Sequence, residues 1–203
     1  YALARLDEDA VASDPISQFE RWFTEAQHAE LPEPNAMTLA TVDPEGRPQA
    51  RVVLLKDFGP EGFVFYTNYQ SAKGRELAAR PHAALLFLWI ELERQVRIDG
   101  PVTRVAEAES EAYFRIRPRA SQLGALASQQ SRVVADRATL DRRFAELEDE
   151  YANREIPRPA HWGGYSVRAD TVEFWQGRRS RLHDRLRYRR AEDGGWRLER
   201  LEP

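Results

Sequence analysis

The stretch "MTLATVDPEGRPQARVVLL", residues 37–55, sets two apolar, β-prone runs on either side of a connector made of turn formers. "MTLATV" and "ARVVLL" read as strands, and "DPEGRP" between them reads as the turn. Working outward, "GPEG" at 59–62 is a second turn and "FVFYTN" at 63–68 a further strand. A short helix follows over "SAKGRELAAR", 71–80, and ends at Pro81. The strands "AALLFLWI", 83–90, and "RQVRI", 94–98, come next, and Gly100-Pro101 is expected to break the ladder. Upstream, Asp14 as N-cap and Pro15 in the first turn open a helix, and Phe19, Trp22, Phe23 and Ala26 recur at helical spacing.

Helices return at about 106–116, 121–130 and 134–153. The last is strongly charged, and Leu140, Phe144 and Leu147 are expected to form its one buried stripe. After the loop "IPRPAHWGG", four strands close the chain: "YSVRA", "TVEFWQ", a stretch around 183–189, and "WRLERL". Asp193-Gly194-Gly195 turns the last pair into a hairpin. Many short strands joined by tight turns predict a mainly β, α+β fold: an antiparallel barrel with peripheral helices. We expect a single domain over 1–203, with a leader at 1–13, an N-terminal helix at 14–30 and C-terminal strands at 171–203.

The composition narrows the function. Hydrophobic residues make up 42% and charged residues 31%, a balance that supports a real core. A net charge of −3 argues against bulk electrostatic binding of nucleic acid, so any anion site must be a built pocket. With no cysteine, disulfides, thiolate catalysis and cysteine-ligated metals are excluded, and a cytoplasmic setting is expected. The apolar run at 83–90 is too short for a bilayer, which needs ~20 residues, and no signal-peptide pattern opens the chain. The sequence starts at Tyr1 rather than Met, and upstream residues are expected. His28, His82 and His161 are isolated, so no metal is expected.

Four stretches carry the candidate chemistry, each with a structural alternative. In "RVVLLK", 51–56, an apolar middle lies between Arg51 and Lys56, which would be roughly 16 Å apart and on opposite faces of a strand. They could hold an elongated anion, or be the solvated ends of a core strand. In "FYTNYQSAK", 65–73, Thr67, Asn68 and Ser71 can cap a helix with Lys73 in its first turn, which makes either a phosphate seat or a plain cap. In "YFRIRPRAS", 113–121, Tyr113 and Arg117 share a helical face. Pro118 ends that helix, and Ser121 is expected to cap the next one. This can be a phosphate site or an arginine-rich interhelical turn. "RSRLHDR", 179–185, holds three arginines and one histidine in seven positions. As a strand it would put Arg181, His183 and Arg185 on one face, around an anion or in water, with Trp175 as a stacking wall.

Read in order, "RVVLLK", "FVFYTN" with Ser71-Ala72-Lys73, "ERQVRI", "YFRIRPRASQ", "EFWQG", "RLHDR" and "RLEP" resemble the pyridoxine/pyridoxamine 5′-phosphate oxidase family in one register from about residue 14 to the C-terminus. "EFWQG" followed by "RLHDR" is the most diagnostic pair. The resemblance implies an FMN-binding split β-barrel, used as a homodimer with the flavin at the subunit interface and with residues 171–203 closing the substrate site. It implies oxidation of pyridoxine or pyridoxamine 5′-phosphate to pyridoxal 5′-phosphate, with dioxygen reoxidising the flavin to give hydrogen peroxide. Carried over residue by residue, FMN contacts fall on Arg51, Val52, Val53, Leu54, Leu55, Lys56, Tyr66, Thr67, Lys73, Gln95, Gln130, Ser131, Trp175 and Arg185. Substrate contacts fall on Lys56, Tyr113, Arg117, Ser121, Arg181, Leu182 and His183. Arg181 and His183 are the catalytic candidates, expected over the substrate ring. Ala72 stands where many relatives carry a cation, and Tyr1 matches a tyrosine near the substrate mouth. Three other readings stay open: a flavin oxidase acting on a phenazine precursor, a carrier without turnover, and an RNA-binding barrel using the arginine-rich hairpin.

Overall fold

The computed structural model of the chain describes residues 3–203, so the expectation for Tyr1 lies outside the described residues. Helix α1 (Pro15–His28) comes first, then strands β1 (Ala36–Val42), β2 (Pro48–Leu54), β3 (Asp57–Gly59) and β4 (Gly62–Asn68). Helix α2 (Ala72–Ala79) leads to β5 (His82–Trp89) and β6 (Arg94–Arg104). Helices α3 (Glu107–Ile116), α4 (Arg119–Ala127) and α5 (Arg137–Glu150) precede β7 (Trp162–Val167), β8 (Thr171–Gln176), β9 (Asp184–Arg190) and β10 (Trp196–Arg200). Single 3₁₀ turns occupy Ile90–Leu92 and Arg179–Arg181.

All strand pairs are antiparallel, and the ten strands form one sheet. Its main path runs β10-β9-β8-β6-β5-β1-β2, while β7 joins β6 to β4, and β4 pairs with β3. Past the end of β2, the Lys56 N–H donates to the Val64 carbonyl (2.8 Å), so the chain bends from β2 into β3 and the sheet curls back on itself. Strands β8, β9 and β10 extend outside that curl from β6.

Helix α1 plugs the curl because its buried face, Phe19, Trp22 and Ala26, follows the helical period. The Phe19 ring lies 4.9 Å from Phe58 and 5.0 Å from both Phe63 and Phe87, with steep interplanar angles at Phe58 and Phe63. Edge-to-face packing of this kind adds to simple area burial. The helix starts as expected, since the Asp14 carboxylate accepts the Ile16 and Ser17 N–H groups at 3.0 Å.

Three expectations need correction. Gly100-Pro101 does not break the ladder: β6 runs straight through it. On one edge β6 pairs with β8 over 94–99 and with β7 over 102–104. The glycine serves this exchange, because a Cβ there would overlap the Arg168 carbonyl oxygen. Second, Ser121 is not a cap: α4 starts at Arg119 with Pro118 at its N-cap, and Ser121 lies inside the first turn. Third, "RSRLHDR" is not one strand. Residues 179–181 form a 3₁₀ turn with Ser180 (φ 59°) and Arg181 (φ 62°) in the left-handed region, and β9 starts only at Asp184. The stripe on α5 is half-buried, with Leu140 beside Phe144 and Leu147, the latter two packing against Phe114, Leu123, Ile156 and Trp162.

Candidate active site

A cleft opens where β2, the end of β4, the start of α2 and the α3–α4 corner meet. Its larger lobe, about 630 Å³, is walled by Val52–Leu54, Lys56, Tyr66, Thr67, Lys73, Tyr113, Arg117, Ser121 and Gln130. A second lobe shares Tyr66, Thr67, Arg117, Ser121, Gln130 and Trp162 with the first and continues along α4. The expected opposition of Arg51 and Lys56 across one strand does not arise, since β2 ends at Leu54 and Lys56 projects from the bend beyond it.

The cleft has an aromatic floor. Tyr66 stacks on Tyr113 (4.0 Å, 18°) and on Trp162 (5.4 Å, 12°). Burial, with the charge of Glu109 next, pushes the Tyr66 phenol up to about 12, so it remains a neutral hydroxyl at physiological pH. The Arg117 guanidinium lies 4.5 Å over the Trp162 ring. Its Nη1 is buried with no hydrogen-bond partner among the described residues. Burial pulls the Arg117 pKa down, so the charged form is held at a cost that an anion would relieve.

Arg117 is placed by a residue that sequence reasoning missed. The Gln122 amide donates to the carbonyls of Phe114 (3.1 Å), Arg115 (3.1 Å) and Arg117 (3.0 Å), tying the end of α3 to α4. No spacing rule flags such a glutamine; only the corner geometry shows it. The corner is further held by Arg119, which donates to the Tyr151 and Arg154 carbonyls.

Lys73 enters the cleft from the first turn of α2, which Ser71 caps as expected through the Gly74 N–H. The lysine is buried, 9% exposed, and reaches the Gln130 side-chain carbonyl at 3.4 Å, where Thr67 also donates at 3.1 Å. Burial, then the neighbouring Arg51 charge, hold the Lys73 pKa below the ordinary lysine value, while Glu76 opposes the shift. A partly desolvated cation and an unpaired guanidinium in one cleft suit a ligand carrying phosphoryl groups. That donor set fits the phosphate-bearing flavin and substrate that the sequence suggested.

The remaining expected residues lie elsewhere. Arg51 points into a buried pair with Glu76 (2.8 Å). Leu55 is buried, its N–H bonded to the Asn35 carbonyl (2.8 Å). Ser131, beyond Gln130, is exposed at φ 72°. Gln95, Trp175 and Arg185 form one cross-strand row over β6, β8 and β9. The His183 ring packs 4.6 Å from Trp175, and its Nδ1 accepts the Arg178 N–H at 3.0 Å. Arg185 donates to Glu173 (2.8 Å) and to the Glu202 carbonyl (2.8 Å), which replaces the expected row of repelling cations. Arg181 and Leu182 are exposed beside this row. Within one chain, then, most of the expected residues fall into two groups, a cleft group and a β6–β8–β9 group that does not line the cleft, while Arg51, Leu55 and Ser131 stand outside both. Among the described residues no group of three or more His, Asp or Glu is placed to hold a metal ion, and no helix is long and apolar enough to cross a membrane.

Residues 23–151 match the family described as pyridoxamine 5′-phosphate oxidase, and residues 162–203 match the pyridoxine 5′-phosphate oxidase C-terminal dimerisation region. Pyridoxine/pyridoxamine 5′-phosphate oxidases of Acaryochloris marina and Salinibacter ruber are each 60% identical, matched over all of this chain and over 92% and 95% of their own lengths. Among solved structures, PhzG from Burkholderia lata 383, in complex with tetrahydrophenazine-1-carboxylic acid, superposes over the whole of both chains (TM-score 0.93, 33% identity). A pyridoxamine 5′-phosphate oxidase-related, FMN binding protein from Nostoc punctiforme shares the fold over 91% of this chain and 97% of its own (TM-score 0.73, 18% identity). The curled antiparallel sheet with its five helices is therefore the split barrel, and the chain belongs to the pyridoxamine 5′-phosphate oxidase family.

Proposed function

We propose that the protein oxidises pyridoxine 5′-phosphate or pyridoxamine 5′-phosphate to pyridoxal 5′-phosphate, using FMN and dioxygen. When bound, FMN supplies the two-electron acceptor for the hydride leaving the substrate's C4′ carbon and passes the electrons to dioxygen, giving hydrogen peroxide. Lys73 and Arg51 form the flavin phosphate seat, with Thr67 and Gln130 beside Lys73. Arg117, Ser121, Tyr113 and Lys56 take the substrate phosphate. Anchoring that phosphate fixes the ring in a near-attack position, which converts encounter into reaction.

Arg181, Leu182 and His183 contact the substrate ring from the dimerisation region of a second subunit, and Gln95, Trp175 and Arg185 contact the flavin from the same side. His183 is oriented by the bond from the Arg178 N–H to its Nδ1, which leaves Nε2 as the ring's N–H donor. From that nitrogen it donates to a polar substituent of the substrate ring.

The observation that carries the reading is the buried, unpartnered Nη1 of Arg117 in the cleft, beside Ser121. The relatives at 60% identity, named pyridoxine/pyridoxamine 5′-phosphate oxidase, favour a phosphorylated substrate over the phenazine alternative, since PhzG is 33% identical. In anaerobic solution, the flavin absorbance of the loaded protein is expected to bleach on adding pyridoxine 5′-phosphate and to return in air. It should persist with a tetrahydrophenazine carboxylic acid. If neither vitamin B6 phosphate bleaches it, the assignment fails.

A further inference from the structure

Helix α2 carries a second buried charge one turn beyond Lys73. Glu76 is 7% exposed, and its Oε2 accepts from Thr41 Oγ1 (2.5 Å) and from Arg51 Nη2 (2.8 Å). Arg51 Nη1 donates to the same Thr41 hydroxyl and to the Leu39 carbonyl (3.4 Å). Three elements, β1, β2 and α2, are thus tied through one carboxylate and one hydroxyl. The niche holds two cations, Arg51 and Lys73, against one carboxylate, and so keeps a net positive charge next to the cleft.

Such a pair is weak evidence of stability, because taking both charges out of water offsets most of their attraction. Its geometry does something more specific. Arg51 immediately precedes the cleft-lining Val52–Leu54 segment, and its long side chain would otherwise sample many rotamers. Held on one edge by Glu76 and Thr41, the guanidinium keeps its other donors in a fixed plane. Glu76 also opposes the lowering that the Arg51 charge imposes on Lys73.

We propose that Glu76 is a positioning residue for the anion seat: it clamps Arg51 through Thr41 and makes the pair Arg51–Lys73 selective for a ligand's phosphate. The proposal rests on the reading of that niche as the flavin phosphate seat. Preorganisation of this kind is worth about tenfold in affinity when its outer partner is removed.

The test compares two probes, FMN and riboflavin, which differ by the phosphate. Their dissociation constants are measured by fluorescence quenching on titration with apoprotein, for the wild type, Glu76→Gln, Arg51→Met and the double variant. Glu76→Gln is expected to lower the preference for FMN over riboflavin about tenfold while riboflavin affinity stays within about twofold. In the Arg51→Met background it should have no further effect, since Glu76 acts through Arg51. A preference that survives Glu76→Gln, or a loss of equal size without Arg51, overturns the proposal. A merely structural role would weaken both flavins alike. Should Glu76→Gln fail to fold, Thr41→Val removes the shared hydroxyl and is expected to lower the preference in the same direction; an unchanged preference there overturns the proposal equally. A wild type that binds both flavins equally would defeat the phosphate-seat reading itself, and the proposal with it.

Discussion

Arg117 holds a charge that the described part of the chain does not neutralise. Its guanidinium lies half-buried over the Trp162 ring, with Nη1 buried and unsatisfied among the described residues. A hydrogen bond to a charged partner contributes about 1.5–3 kcal/mol, so removing it should weaken substrate binding by roughly 10- to 100-fold. Arg117→Met is therefore expected to raise KM for pyridoxine 5′-phosphate by that factor and to lower kcat as well, because the ring is held less firmly in its near-attack position. Steady-state kinetics at saturating oxygen checks it; an unaltered KM would remove Arg117 from the phosphate site. Arg117, Tyr113 and Lys73 were legible in the sequence because helical spacing and capping rules act over one or two turns. The partners that hold them were not. Gln122 and Glu76 are ordinary polar residues on helices, and their roles depend on which carbonyls or cations the fold brings to them. Arg51 shows the same limit: its place in "RVVLLK" marked it as a cation near the cleft, but nothing local shows its pairing with Glu76, 25 positions away.

At the scale of elements, alternation and turn chemistry located most strands within a residue or two, and Asp14 and Ser71 capped the helices they were expected to cap. The errors arose where a breaker residue has a long-range purpose. Gly100-Pro101 resembles a turn, yet it is where β6 leaves β8 and takes up β7. The glycine is needed because the backbone of the β7–β8 link, at Arg168 and Asp170, passes where a side chain would stand. Gly100→Ala forces those backbones apart at the junction of the curled sheet and its β8–β10 extension. Overpacking of that kind costs about 3 kcal/mol, which for a chain of this length lowers Tm by roughly 10 °C. A thermal melt followed by circular dichroism measures it, and an unchanged Tm would show that the crossing is not tight. The 3₁₀ turn at 179–181 escaped for the opposite reason: Ser180 and Arg181 adopt left-handed backbone without glycine to announce it.

At the scale of the molecule, the two groups of expected site residues do not share a cavity within one chain. The cleft group belongs to the segment matched at 23–151, and most of the other group to the dimerisation region at 162–203. If each working site takes its cleft from one subunit and its Arg181–His183 arm from the other, two defective subunits can complement each other. A subunit carrying Arg117→Met spoils the cleft it owns; one carrying His183→Ala spoils the arm it lends. In a two-fold symmetric dimer of one such subunit with the other, one site collects both defects and the second collects none. Random reassociation makes about half of the dimers hybrid, each with one intact site of two, so the mixture should recover about a quarter of wild-type activity under conditions where each parent is nearly inactive. The measurement is activity after the two variants are mixed, dissociated in mild denaturant and reassociated, against each variant treated alone. Were each site built from a single subunit, every site in the mixture would carry one defect and no activity would return, which would rule out the shared site while leaving the fold and family untouched.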